Sequence, residues 1–364
     1  MHWTIAVPST LEENRLKQTS FVDMLNYVPE KHRFRVIYRE EALIKWHERT
    51  SSVTGFKDWL KYWEQAKEAV ESTEGGVITV FPQLPATVAM YKLLKLKRTP
   101  VVAWLFNVGT CSSGLRQNLA QLSLNHVSRF MVPTRREQEI YHRWLGLPHE
   151  RFVFVPFHAD DIPVTYEEEM ENPFLVALGS AHRDFATLFE AVESVNLPTV
   201  VASGKRALEG LTIPPQVKTP FGISRDECLK LAQQARISIV PMVSQDHITA
   251  AGQVTIVEAM KMRRAVIATR CNGAEDYIID GETGILVEPN SVEALADAIK
   301  LLWEDTELRN RIAQAAGRYA DAHFSNEAAG VALGKILDSV EDEAKRVINP
   351  FWHSGLGYLR ELQR

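Results

Sequence analysis

At 364 residues, with 45 % apolar and 24 % charged residues, the chain is long enough for two cores and ordinary in composition for a globular protein. A net charge of −5 gives no reason to expect nucleic acid, which calls for a clustered basic face. No apolar run reaches the roughly 18–20 residues needed to span a bilayer.

The first half alternates two patterns. Short apolar runs at 4–7, 34–38, 77–81, 101–106, 129–132 and 152–155 are not alternating, as expected of strands buried on both faces of a parallel sheet. Helical patterns lie between them at 12–26, 56–71, 86–96 and 135–145. Such alternation implies right-handed βαβ crossovers and a doubly wound domain. The first run starts at His2, so the N-terminus does not read as a signal peptide. After it stands Pro8-Ser9-Thr10 in place of fingerprint glycines, so this unit is not expected to hold a nucleotide.

Residues 160–173, with the run Glu167-Glu168-Glu169, read as a linker, with a solvated loop inside one domain as the alternative. The expected division is 1–165, then 166–345, then a tail at 346–364. The second series of strands is expected at 174–178, 199–202, 237–240, 265–269 and 284–287. A helix at 292–303 carries an apolar stripe of Val292, Leu295, Ile299 and Leu302, with Asn290 and Glu293 as a capping box. Cys111, Cys228 and Cys271 are far apart and form no CxxC pair, which suggests neither zinc nor a disulfide framework and fits a reducing, cytoplasmic compartment.

Residues 250–289 are the most informative. They read as a loop, a helix opening at Gly252, a buried strand, and a second loop-to-helix turn at Cys271-Asn272-Gly273. Helix N-termini expose unpaired N–H groups and partial positive charge, so Gly252, Gln253, Val254, Thr255 and Gly273 together could hold a diphosphate. Glu258, about two turns into the first helix, can reach paired hydroxyls such as those of a ribose. Phosphate plus diol indicates a nucleotide.

The ordered run Glu258-Ala259-Met260, Ala265-Val266-Ile267-Ala268-Thr269, Gly273, Asp280-Gly281 and Thr283-Gly284-Ile285-Leu286-Val287, continuing through Leu295-Ala296-Asp297-Ala298-Ile299, resembles the donor half of family-4 retaining glycosyltransferases. The resemblance covers about 174–325 and is only architectural before Val132. It implies an α/β GT-B fold, two Rossmann-like doubly wound parallel-sheet domains facing a cleft, with the tail at 346–364 crossing back to the first domain. It implies retaining, metal-independent transfer of a sugar from a UDP- or GDP-type donor, with no cofactor. The acceptor would be a glycan, a lipid-linked sugar or a small molecule.

Residue by residue, the resemblance gives Glu258 the ribose. Arg183, in Gly179-Ser180-Ala181-His182-Arg183, matches the second basic residue of a diphosphate clamp. A surface ion pair with Asp184 is its bland alternative. The clamp's first arginine is replaced by Ser180. The glutamate expected eight positions before Glu258 is Ala250, which leaves Asp246 or His247 to take a contact with the transferred sugar. Asn107 stands where many members carry a histidine; it can hydrogen-bond a sugar but is no general base. Lys205 and Arg206 are weaker candidates for the same crevice, and His126, His142 and His158 read as packing or surface residues. Lys95, Lys97 and Arg98 make a small basic-apolar helix end that fits either peripheral contact at the inner face of a membrane or plain solvation. Ser180, Ala250 and Asn107 also keep open a nucleotide-sugar-binding scaffold or regulatory subunit without activity. A sugar-nucleotide epimerase on the same fold fits the motifs less well.

Overall fold

The computed structural model describes residues 1–8, 23–39, 56–80, 83–246 and 248–348. Six parallel strands form the first sheet: β1 (His2–Pro8), β2 (Arg33–Arg39), β3 (Gly76–Val80), β4 (Val101–Trp104), β5 (Arg129–Val132) and β6 (Phe152–Phe154), in the order β2-β1-β3-β4-β5-β6. A second parallel sheet contains β7 (Leu175–Leu178), β8 (Thr199–Ala202), β9 (Val217–Lys218), β10 (Ile237–Val240), β11 (Ala265–Thr269) and β12 (Ile285–Val287), in the order β12-β11-β10-β7-β8-β9. The expected fold class, a GT-B-like pair of doubly wound parallel sheets, is what the chain adopts.

Successive side chains on a strand point to opposite faces, so each sheet builds two cores. Helices α1 (Phe56–Ser72), α2 (Gln83–Leu94), α3 (Leu115–Leu124) and α4 (Arg135–Leu145) cover one face of the first sheet, where Val70, Val88, Leu124 and Tyr141 pack on Val77, Val101 and Phe130. The other face, Trp3, Ile5, Ile78 and Val102, is covered by Leu333, Leu337 and Val340 of the last helix, α10 (Asn326–Ile348). Burying a side chain of that size stabilises by about 1.5–3 kcal/mol, so α10 is part of the first core although it follows the second in sequence. The tail expected to cross back lies, from Asn349 on, outside the described residues.

On the second sheet, α5 (Phe185–Val195) and α8 (Val292–Glu304) pack Leu188, Val192, Ile299 and Leu302 over Leu175, Ile237 and Ile267. The opposite face receives α7 (Gln253–Lys261) and α9 (Thr306–His323), through Ile256, Met260, Ala316 and Ala320. Helix α6 (Arg225–Gln234) precedes β10 and starts with a complete capping box between Ser224 and Glu227.

Two local expectations are corrected. Ser291, not Asn290, caps α8 by accepting from Ala294 N; Asn290 instead sits at φ +56°, a left-handed turn that asparagine tolerates. The turn at Gly273 opens no helix but a single 3-10 turn, Ala274–Asp276, because Tyr277 and Ile278 at once turn into the core. Most of the expected helix at 12–26 lies outside the described residues. The acidic run at 167–169 lies against the second unit, with Glu168 2.7 Å from Arg236.

Candidate functional site

Strand order reverses between β7 and β10, and in an open α/β sheet the crevice beyond the carboxyl ends of such a pair is where ligands bind. The loops leaving these two strands pair with each other. Arg183 and Met242 form an isolated antiparallel bridge, Val243 N donates to His182 O at 3.0 Å, and Asp184 N donates to Pro241 O at 3.1 Å. Asp184 is also committed to capping α5 through Thr187, so it is not the partner of Arg183.

Arg183 is held from three sides. Its Nε donates to Leu178 O (3.1 Å), Nη1 to Ala181 O (3.0 Å) and Nη2 to Thr255 Oγ1 (3.0 Å). Burial pushes its pKa down to about 10, which leaves it a cation at neutral pH. Among the described residues no carboxylate lies in ion-pair range of it. Gly179, at φ +95°, makes room for this: a β-carbon there would lie 2.8 Å from Arg183 Nη2.

Thr255 belongs to the first turn of α7, so the cation is tethered to a helix N-terminus. The cap is Gly252 at φ +93°, and no side chain caps the helix. A β-carbon on Gly252 would meet Met242 Sδ at 2.4 Å, so only glycine fits this turn. Ile256 N is the first amide bonded within the helix, to Gly252 O at 3.0 Å. Among the described residues the N–H groups of Gln253, Val254 and Thr255 have no acceptor. A guanidinium and three oriented amides thus converge without an anion of their own.

Glu258 follows Thr255 by three residues, which places it on the same helix face about 4.5 Å further along the axis. Its side chain is mostly covered, and its Oε1 lies 2.7 Å from Arg225 Nη2, from the first turn of α6. The carboxylate thus faces a neighbouring helix rather than bulk water. Arg225 is a site neighbour that sequence reading missed. The capping box places it one residue into α6, but only the tertiary fold brings the side chain within reach of Glu258.

The remaining candidates fall elsewhere. Ser180 Oγ accepts from Gly204 N (2.7 Å) and from Ser203 Oγ (3.1 Å), joining the β7 and β8 loops. Lys205 lies over the ring of Phe221. The Gln253 side chain donates to Asn272 O at 2.7 Å and is buried. Val254 is exposed at the mouth of the helix. Asp246 is exposed, with its backbone oxygen accepting from Arg136. His247 lies outside the described residues. Gly273 is not brought to the cation; a β-carbon there would lie 2.2 Å from Thr134 Cγ2 of the first unit.

Asn107 is likewise taken up by structure. Its Oδ1 accepts from Gly109 N (2.6 Å) and Thr249 Oγ1 (2.8 Å), and its Nδ2 donates to Ala250 O (3.4 Å). Thr110 bridges Ile248, and Thr249 N donates to Gly109 O at 3.2 Å. Beside this joint, Glu137 is fully buried and accepts from Tyr141 OH (2.8 Å) and Thr134 Oγ1 (3.1 Å). Burial pushes its pKa up to about 8, against those hydrogen bonds. Tyr277 OH closes the same seam by donating to Pro133 O at 2.6 Å.

A cavity of about 400 Å³ opens at the opposite, C-terminal end of α7, lined in part by Asp161, Lys261, Arg263 and Asp321. Its cations are already matched, Lys261 with Asp161 at 3.0 Å and Arg263 with Asp321 at 2.9 Å. No group of three or more metal-ligating side chains occurs among the described residues.

Residues 200–319 match the family model "Glycosyl transferases group 1". An alpha-D-kanosaminyltransferase of Streptomyces kanamyceticus is 42 % identical over 87 residues, covering 24 % of this chain and 22 % of that protein. The curated relatives that match are each aligned over less than half of their own length. Among solved structures, a glycosyltransferase from Rickettsia africae superposes with a TM-score of 0.68 at 16 % identity, covering 93 % of this chain and 98 % of that one. Anabaena HepE, solved with UDP-glucose, gives 0.64 at 15 % identity over 92 % and 99 % of the two chains. At such identities the structures speak for the fold.

Proposed function

We propose that this chain, whose residues 200–319 match the glycosyl transferases group 1 model, is a retaining glycosyltransferase that takes its sugar from a nucleoside diphosphate donor. The observation that carries this reading is the Arg183 guanidinium tied to Thr255, beside the unengaged amides of Gln253, Val254 and Thr255. That arrangement suits a diphosphate, and Glu258, one turn on, suits the ribose diol of the same molecule. A uridine donor is favoured, because HepE was solved with UDP-glucose.

In this reading the bond from the sugar's anomeric carbon to the phosphate oxygen breaks as the bond to the acceptor oxygen forms. The acceptor proton passes to the leaving phosphate. Negative charge therefore grows on the diphosphate, where Arg183 and the α7 amides stabilise it. These groups supply the charge that a metal supplies in other transferases, and turnover is expected to survive chelation by EDTA.

The test is calorimetric titration with UDP, GDP and ADP, followed by a donor screen for released nucleoside diphosphate. Micromolar binding that Arg183→Ala weakens supports the site. If no diphosphate binds and the variant is equally silent, the reading fails. One observation favours a second reading, a nucleotide-sugar-binding subunit without turnover: Asn107 and Ser180 are committed to backbone contacts, and Ala250 carries no functional group. Tight binding with no turnover across donors and acceptors would establish it.

A further inference from the structure

From Gly75 to Arg136 the chain runs 62 residues without an Asp or Glu, yet carries eight Lys and Arg, in a protein where acids outnumber bases 46 to 41. At the overall frequency about eight acids would fall there. This stretch includes α2 and α3, which pack side by side on the first sheet.

Helix α3 joins the core through Leu124 at its C-terminal end, while its first turns direct glutamines inward and leucines outward. Gln117 and Gln121 turn inward, and both donate to Trp144 O at 2.9 Å. Leu115, Leu119 and Leu122, spaced i, i+4, i+7 on one face, are 75 %, 57 % and 56 % exposed. A helix on a water-facing surface has the opposite arrangement. The end of α2 adds Leu94 and Leu96, 64 % and 88 % exposed. Lys95, Lys97, Arg98 and Arg116 stand among these leucines and form no ion pair among the described residues. Glu71, a carboxylate near Lys95 and Lys97, accepts a hydrogen bond from Tyr91.

We propose that the outer face of α3 and the end of α2 dock on an anionic lipid bilayer. The leucines enter the acyl boundary and Lys95, Lys97, Arg98 and Arg116 meet the headgroup phosphates. Leucine exposed along one face of a helix is the pattern of a helix lying in a membrane interface, which favours a bilayer over an acidic protein. Cations interleaved with it favour anionic over neutral lipid. Because α3 starts just after the loop that touches Ile248 to Ala250, docking sets that joint close to the membrane.

The experiment is vesicle flotation of the full chain without any donor, so its outcome is separate from that of the catalytic reading. Phosphatidylcholine vesicles are compared with vesicles holding about 30 mol % phosphatidylglycerol. Anionic vesicles should bind at least about tenfold more tightly, and the binding should fall with salt. Lys95→Glu combined with Arg98→Glu should weaken binding about twentyfold or more, at about fivefold per cation even before repulsion is added. Leu119→Ser combined with Leu122→Ser should weaken it about tenfold or more, while circular dichroism and the melting curve stay as in the parent. Equal binding to both vesicle types, or none to either, overturns the proposal. So does a leucine variant that floats like the parent while the basic variant loses heparin binding, which would assign the surface to a soluble polyanion.

Discussion

The two sheets are built by the same winding, yet their loops at the strand ends are used in opposite ways. In the second unit, the loops after β7 and β10 leave a cation and three amides without an anion. In the first, the loop after β4 satisfies itself: Asn107 joins Gly109, Thr249 and Ala250, and Thr110 pairs with Ile248. Donors left open in one loop and closed in the other separate the proposed binding surface from a joint. A polar residue at a strand end can be either, and only its partners tell which.

The strongest way to break that contrast is Arg183→Ala. It should lower kcat/KM about a thousandfold, or about 4 kcal/mol, and weaken nucleoside diphosphate binding. Asn107→Ala should cost about 1–3 kcal/mol in urea unfolding and change the nucleotide Kd less than about threefold. Comparable losses of nucleotide affinity in both variants would erase the distinction.

The glycine pair sharpens it. Gly252→Ala and Gly273→Ala both force a side chain into a left-handed turn and into a neighbour, Met242 or Thr134. Each should destabilise by about 2–3 kcal/mol, read from the shift of the unfolding midpoint. Only Gly252→Ala should also abolish calorimetric binding of the diphosphate, because only that turn feeds the open amides.

Glu137 gives a pH-dependent check on the joint. Its pKa is raised from the ordinary carboxylate range to about 8 in the folded protein. Between those values the folded state holds a proton that the unfolded state has lost, so stability falls as pH rises through that window and is flat above it. Glu137→Gln removes this term. Relative to the parent, the variant should gain up to about 1.4 kcal/mol per pH unit between pH 5 and 8, measured by denaturant unfolding at several pH values. A parallel profile for the two proteins would show that Glu137 does not titrate there.

The smallest effect is expected at Ser180. Ser180→Ala removes the acceptor for Gly204 N and should cost about 1 kcal/mol of stability. It should alter kcat/KM by less than about tenfold, since the hydroxyl carries no charge. A larger kinetic loss would return Ser180 to the phosphate clamp.

What could be read from residues alone was what local pattern dictates. The strands were visible because burial on both faces leaves an uninterrupted apolar run, as in Ala265–Thr269. Helix α7 was visible from Gly252 and the apolar residues behind it. Helix α3 was not, because Leu115, Leu119 and Leu122 point outward and its glutamines inward, leaving only Leu124 to give the usual signal. Strand β9, two residues long, carries too little pattern to register. At the site, Arg183, Thr255 and Glu258 come together because strand order and helix spacing put them there. Gly273 looked equivalent to Gly252, since glycine answers the same backbone demand whether a phosphate or a threonine methyl lies opposite. Arg225 meets Glu258 across 33 positions of sequence through the tertiary fold alone, and no local rule announces that.

Leu333, Leu337 and Val340 of α10 complete a core begun by Trp3 and Ile5. On a ribosome the first sheet is therefore made, at Phe154, long before the helix that seals it starts at Asn326, and one of its faces has to wait, greasy and uncovered, for about 170 residues of synthesis. A fragment ending near residue 165 should consequently emerge as an aggregation-prone species. The last helix, supplied in trans as a peptide, would be the natural rescue.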